Sequence, residues 1–231
     1  MNVERFKSAL SVHCQRDLNH AMELFEAYLT TLVRVNQTMN LTAITQPEEV
    51  YEKHFLDCAM IEAFIPQNAS VADVGSGAGF PGLVLAIVRP DLHLTLIEPT
   101  GKRCAFLEST AQSLGLTNVT VLNARAEELP QYRERFSVVT ARAVANLAIL
   151  MELCVPLLAI NGRFIAMKGS KGLEELEEAE SASKKLRLTL VSAQPVELPT
   201  AGQRVNLVFE KTQATDIKYP RPYGQIKKKP L

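Results

Sequence analysis

Apolar positions near the start of the chain recur at helical spacing: Val3, Phe6 and Leu10, then Met22, Leu24, Phe25, Tyr28, Leu29, Leu32 and Val33. Asn36 to Thr45 is polar and predicts a turn region. Pro47-Glu48-Glu49 opens another helix through Val50, His54, Phe55, Cys58 and Ile61, and Pro66 closes it. These helices predict an N-terminal helical cap over residues 1–66, beside a second unit over 67–231. From Ser70 the rhythm changes to short apolar runs alternating with helical patterns. Strands are predicted near 70–74, 93–98, 118–122, 136–141, 161–167, 187–194 and 203–210, and helices near 81–88, 102–114, 146–157 and 171–185. Crossovers between apolar runs imply an α/β fold, an open parallel sheet with helices on both faces. Only the short stretch from Pro195 to Gly202 joins the last two strands. That favours a hairpin, so the final strand is expected to run antiparallel to the rest.

Composition narrows the class. Of 231 residues 47% are hydrophobic, enough for a substantial core in one large domain or one domain with a small lobe. No run approaches the length of a membrane span, and Met1 to Phe6 does not read as a signal peptide. A cytoplasmic protein with no membrane partner is therefore expected. Cys14, Cys58, Cys104 and Cys154 lie far apart and read as free thiols in a reducing compartment. His13, His20, His54 and His93 show no ligand spacing, so no metal site is expected. A formal net charge of zero argues against non-specific coating of nucleic acid. The charges are uneven, however. Glu174, Glu175, Glu177, Glu178 and Glu180 read as a solvated helix face. The basic tail carries Lys218, Arg221, Lys227, Lys228 and Lys229 with no acid between them, a patch suited to salt-sensitive attraction to phosphate.

The most informative stretch is Val71-Ala72-Asp73-Val74-Gly75-Ser76-Gly77-Ala78-Gly79-Phe80-Pro81-Gly82. A short apolar run ends near an Asp and enters a loop with glycine at alternate positions; Pro81 then opens an apolar helical pattern. Side chains at Gly75, Gly77 and Gly79 are expected to intrude on a ligand, and some of these positions to need positive φ. This is the arrangement that holds a nucleotide-like cofactor at the carboxyl edge of a parallel sheet. Read from Gly77, the glycines match the dinucleotide fingerprint. Read from Asp73, they resemble motif I of class I S-adenosylmethionine-dependent methyltransferases. Asp73, placed beside the ligand's path, would repel a pyrophosphate but accept hydrogen bonds from an ammonium group through water. Glu98, ending the next strand, suits the two hydroxyls of a ribose, which either cofactor supplies. Asp73 and the antiparallel last strand both tilt the reading toward the methyl donor.

Further segments make a resemblance specific: Asn40-Leu41-Thr42, His54-x-x-Asp57, the glycine loop with Phe80-Pro81, Lys102-Arg103-x-x-Phe106-Leu107, Arg125-x-Glu127, Arg142-Ala143, Lys168-Gly169, and Tyr219-Pro220-Arg221 with Lys228-Lys229-Pro230-Leu231. Across nearly its whole length the chain resembles the ribosomal RNA small subunit methyltransferase G family, also called glucose-inhibited division protein B. The resemblance implies a class I (Rossmann-like) methyltransferase sheet. It implies transfer of a methyl group from S-adenosylmethionine to N7 of a guanine, position 527, in the 530 loop of 16S rRNA. It also implies cofactor contacts at Gly75, Phe80, Glu98, Ala126, Glu127 and Arg142, beside Asp73, Gly77 and Gly79 from the loop itself. The small ribosomal subunit is the expected partner and a monomer the expected state. One position departs: members often have Phe-Asp where this chain has Phe136-Ser137. Ser137 supplies no carboxylate, and a structural role is expected for that site.

Guanine N7 has a free lone pair and no proton to remove, so no general base is needed. Catalysis then rests on alignment and on groups that accommodate a cationic purine. Arg142 is the first candidate for handling substrate, with Arg125 and Lys168 as further candidates near the same edge. Plainer readings stand beside these. Arg142 could pair with Glu127 or Glu98, Arg125 could form a surface ion pair, and Lys102 and Arg103 could pair with Glu98 or Glu108. Phe80 could pack on its helix, and His54 with Asp57 reads more readily as a structural pair. Three other functions remain open at this point: an NAD-dependent oxidoreductase, a methyltransferase for a non-RNA acceptor, and a non-catalytic RNA-binding module.

Overall fold

A computed structural model of the chain describes residues 1–142, 144–198, 200 and 202–231. Ala143 of the Arg142-Ala143 pair, and Pro199 and Ala201 of the last connection, lie outside the described residues. Helix α1 (Val3–Leu10) starts where the Asn2 side chain accepts the Arg5 N–H, and it buries Phe6 and Leu10. Helix α2 (Leu18–Met39) is capped by Asp17 and closes at Asn40 in the left-handed region. It therefore runs into the stretch expected as a turn. Asn36 does not break it, because its side chain faces outward to bond both N–H and C=O of Thr42. Next come α3 (Pro47–Val50), a π-helical turn (Tyr51–Leu56), α4 (Asp57–Ala59) and a 3-10 turn (Met60–Phe64).

The alternating half follows as β1 (Ser70–Val74), α5 (Gly82–Val88), β2 (His93–Ile97), α6 (Gly101–Ser113), β3 (Val119–Leu122), β4 (Phe136–Arg142) and α7 (Leu147–Cys154). Then come β5 (Leu158–Lys168), α8 (Gly172–Glu178), α9 (Glu180–Lys185), β6 (Leu188–Leu198), β7 (Gly202–Lys211) and α10 (Tyr223–Lys228). The single helix expected over 171–185 is two helices meeting at Ala179. Strand β6 continues through Pro195, which was expected to begin the connection. It is an edge strand, where a residue without an N–H is tolerated.

The seven strands are ordered β3-β2-β1-β4-β5-β7-β6. Strands β1 to β5 pair in parallel, while β7 runs antiparallel to both β5 and β6. This is the expected mostly parallel sheet with an antiparallel last strand. The carboxyl ends Val74, Ile97, Leu122, Arg142 and Lys168 consequently share one edge.

Residues 1–66 do not hold a core of their own. Phe6, Phe25, Tyr28, Phe55 and Ile61 join Leu83, Ile87, Leu107 and Val138 in one buried cluster on one sheet face. A row of rings runs through it: Phe6–Phe25 at 5.3 Å, Phe25–Phe55 at 4.8 Å, Phe55–Tyr28 at 5.2 Å and Tyr28–Phe80 at 5.7 Å between centroids. Buried Arg89, at the end of α5, donates to Asp91 and to the carbonyls of Ile65 and Pro66, riveting the 66/67 junction. The other face is covered by Leu150, Leu153, Phe164, Phe209 and Ile226.

The basic tail folds back on that second face. Buried Glu152 accepts from the Arg221 N–H at 3.0 Å and from its guanidinium at 2.7 and 2.6 Å, and Arg133 donates to the Tyr219 carbonyl at 2.7 Å. Two of the five tail cations are thus neutralised, Arg221 by Glu152 and Lys218 by Asp216.

Candidate active site

The glycine loop leaves β1 at the centre of the sheet's carboxyl edge. Gly75, Gly77 and Gly79 all have positive φ, at 74°, 56° and 97°. At Gly75 and Gly79, however, a Cβ would strike protein. It would lie 2.5 Å from Val144 at the first, and 2.5 Å from Leu83 and 2.6 Å from the Tyr28 hydroxyl at the second. Only at Gly77 is the space beside the loop open, with its nearest neighbour 3.8 Å away. Tyr28 holds the loop from α2 by donating to the Ala78 carbonyl.

Asp73 is turned into the fold, bonded to its own loop. It is fully buried, and its two oxygens accept from the Gly82 N–H at 3.2 Å and the Thr140 hydroxyl at 3.0 Å. Burial pushes its pKa up to about 6. Its position shows why Gly82 is glycine: a Cβ there would sit 2.9 Å from the Asp73 carboxylate and 2.2 Å from Leu96. Asp73 thus ties strand, loop and helix together. Glu98 is the carboxylate that faces the loop from outside, accepting from Gly77 N–H at 3.0 Å and Thr100 N–H at 2.9 Å.

Between these elements lies a cleft of about 290 Å³, lined by Gly75, Glu98, Arg103, Ala126, Glu127 and Tyr223 among others. Gly75, Glu98, Ala126, Glu127 and Arg125 of the expected residues meet here. The groups suit a nucleoside-bearing cofactor: bare backbone at Gly75 in the cleft wall, and the Glu98 carboxylate as acceptor after β2.

Arg142 and Lys168 face a separate cavity of about 260 Å³, lined by Asp57, Arg142, Met167, Lys168, Gly169, Glu175 and Arg204. Arg142 pairs with neither Glu127 nor Glu98. It donates to Cys58 Sγ at 2.9 Å, the Lys53 carbonyl at 2.7 Å and His54 Nδ1 at 3.0 Å, and lies 3.5 Å from Asp57. The π-helical turn and α4 carry all four partners. His54 also stacks on Phe80 at 4.3 Å, and the Arg142 guanidinium lies 5.7 Å from the same ring. Phe80 is therefore enclosed by protein. Burial, then the neighbouring Arg142 charge, lowers His54 to about 3, so its ring is neutral. Nδ1 lies 3.0 Å from the Arg142 guanidinium and 3.1 Å from the Lys53 carbonyl, and Nε2 lies 2.9 Å from the Thr42 hydroxyl; a ring proton on Nε2 lets Nδ1 accept from Arg142. Burial pushes the Cys58 thiol up to about 12 and raises Asp57, against the pull of Arg142. Lys168 donates to the Ala145 carbonyl at 2.9 Å and pairs with Glu175 at 2.7 Å. Glu175 also accepts the Leu147 N–H at 2.8 Å, so it does not belong to a solvated acidic face.

A family model described as rRNA small subunit methyltransferase G matches residues 21–206. The chain belongs to that family. A relative carrying that description in Lactobacillus delbrueckii is 41% identical over the full length of both chains, and one in Mycoplasma capricolum is 45% identical over 87% of each. Among solved structures, the fold is similar to YcgJ from Bacillus (TM-score 0.56, 16% identity, 70% of this chain and all of that one). It is also similar to TYW2 from M. jannaschii, solved with AdoMet (TM-score 0.53, 18% identity, 64% and 72% of the two chains). The fold is that of a class I S-adenosylmethionine-dependent methyltransferase.

Three placements were not anticipated. Tyr223 walls the cleft from the tail, with Arg125 lying over its ring at 5.6 Å. Val144 walls it opposite Gly75. Arg204 enters the second cavity from β7. The hydroxyl of Ser137, the position that departs from the family, bonds Ser70 at the amino ends of β1 and β4, away from the carboxyl edge.

Proposed function

We propose that this family member transfers a methyl group from S-adenosylmethionine, seated in the cleft at Gly75, Glu98, Ala126 and Glu127, to N7 of the guanine at position 527 in the 530 loop of 16S rRNA. It acts as a monomer in the cytoplasm. The observation that carries this reading is the adjacency of two cavities. Arg142 faces the second, and Val144, two residues further along the chain, walls the first. The first cavity is lined by the ends of β1 and β2 and the second by the ends of β4 and β5, so a cofactor in one and a nucleotide entering the other are brought to the same carboxyl edge.

When bound, S-adenosylmethionine supplies a methyl group already activated by its sulfonium. The chain's own task is alignment, worth up to roughly 7–11 kcal/mol in favourable cases. Arg142 is held in one orientation by four partners on the preceding helices, which restricts the geometry it presents. Lys168 has two of its three donors engaged, leaving one for a phosphate or a carbonyl edge. Arg204 adds a third cation to that cavity, against Asp57 and Glu175. Such a charge set accommodates a nucleotide better than a small apolar acceptor. Neutral His54 and the protonated Cys58 thiol serve to hold Arg142, in keeping with a reaction that removes no proton in the attack.

The test is incubation with labelled methyl donor and small ribosomal subunits lacking the modification, then mapping of the labelled nucleotide. Label at N7 of that guanine is the expected result. Label elsewhere in the RNA, or only on protein or small molecules, overturns the acceptor.

A further inference from the structure

We propose that the segment after β7 is a seat for the rRNA backbone, and that Tyr223 couples occupancy of this seat to retention of the cofactor. The inference rests on the rRNA reading above. Three observations carry it. First, the segment is built into the fold. Its root is pinned by Glu152 to Arg221 and by Arg133 to Tyr219, and Ile226 of α10 is fully buried. Second, the first residue of α10, Tyr223, is part of the cleft wall and lies against Arg125, whose side chain is 50% exposed. Third, Lys227, Lys228 and Lys229 are exposed and have no ion-pair partner among the described residues.

Lys227 lies four residues after Tyr223, one helical turn along the same face. A phosphate bound by Lys227 therefore bears on the ring that closes the cleft. Arg103 and Arg125 on the rim extend the cationic surface, while Glu127 and Glu128 are the acids beside it. The rim itself is balanced, Arg103 and Arg125 against Glu98, Glu127 and Glu128, so the cationic excess that suits a polyanion is carried by the three exposed lysines that follow Tyr223. Arg221, consumed by Glu152, acts as the rivet and contributes no phosphate contact. With the root fixed and α10 docked, an RNA strand lying on the three lysines holds Tyr223 against the cleft. By linkage, bound cofactor strengthens RNA binding by the same factor.

The experiment uses the full chain, small ribosomal subunits and labelled S-adenosylmethionine. Equilibrium dialysis gives the cofactor Kd with and without saturating subunits, and filter binding gives subunit affinity as a function of salt. For the unmodified chain, subunits are expected to tighten cofactor binding several-fold. The triple variant Lys227→Glu, Lys228→Glu, Lys229→Glu keeps the cofactor Kd measured alone. It binds subunits about tenfold or more weakly, with a log–log salt slope shallower by about 2. Tyr223→Ala weakens cofactor binding alone, keeps subunit affinity measured without cofactor, and removes the mutual tightening. Unchanged subunit affinity and salt slope in the lysine variant overturn the seat. Equal cofactor Kd with and without subunits in the unmodified chain overturns the coupling. Failure of the unmodified chain to methylate rRNA strikes the acceptor assignment itself, an outcome separable from both.

Discussion

Replacing Arg142 with Met tests whether the second cavity is built as described. The substitution keeps an unbranched apolar stem but removes the guanidinium. It strands the buried Asp57 carboxylate, takes a donor from His54 Nδ1, and leaves the Lys53 carbonyl without its 2.7 Å bond. Removing one member of a buried ion pair costs about 3–5 kcal/mol, against roughly 0–1 kcal/mol for a surface pair. In a domain of this size that lowers Tm by roughly 6–20 °C. Urea unfolding measures the loss. Adding Asp57→Asn is expected to recover part of it, because the stranded charge is then gone. Arg142 is also the second cause of the depressed His54 pKa, after burial, so His54 is expected to titrate closer to 6.5 in the variant by NMR. Methyl transfer falls as well, but it falls together with stability, so turnover alone does not define the role of Arg142. A loss below about 1 kcal/mol with an unmoved His54 titration refutes the buried-pair description.

Tyr28→Phe strips the hydroxyl from the Ala78 carbonyl in a buried site. It is expected to cost about 1–3 kcal/mol and to weaken cofactor retention; an unchanged urea midpoint contradicts the clamp. Gly79→Ala meets Leu83 and Tyr28 as well as a φ of +97°, whereas Gly115→Ala has nothing within 4 Å at φ +64°. The first is therefore expected to lose more stability than the second by about 1–3 kcal/mol in thermal melts, and equal losses count against this packing. His54 at about 3 stays neutral in the fold while the unfolded chain takes up its proton below 6.5. Its contribution is therefore complete above that pH and is lost on acidification, at about 1.4 kcal/mol per pH unit. His54→Gln should flatten the pH dependence of stability between about pH 4 and 6.5, and an identical slope in both proteins rules the effect out. Ser137→Asp alters only the amino end of the sheet, where it can still accept the Ser70 N–H, so the transfer rate is expected to stay within about twofold. A tenfold fall would place that position in the reaction.

Strand positions were legible because period-2 and continuous apolar runs differ sharply from the helical repeat. The parallel sheet and its antiparallel last strand followed from crossover geometry and one short connection. The glycine loop was legible because positive φ and close packing of the backbone leave a composition mark, and Glu98 because it stands directly after an apolar strand. Where side chains aim was not. Asp73 reads as a ligand-facing acid, but the turn after β1 carries Gly82 back over it, so its oxygens serve the loop. Arg142 reads as a cation for handling substrate, or else as a partner for Glu127 or Glu98, because chain order hides that the π-helical turn near residue 54 lies against the end of β4. The same turn brings His54 and Asp57 to Arg142, and spacing suggested only that they share a face. Glu175 is one of five acids in a run, and nothing local marks it as the one that reaches Lys168. Tyr223 entered the cleft by way of Glu152, an acid buried far away in sequence.

The aromatic row from Phe6 to Phe80 has an evolutionary consequence. The ring at its far end is a member of the glycine loop, and the rings at its near end belong to the first helices. A chimera that exchanged only the first 66 residues for those of a divergent homologue would present mismatched shapes to Phe80 and Leu83. The two stretches must therefore drift in concert. Compensating substitutions between α1, α2 and the loop should be commoner than substitutions fixed on one side alone.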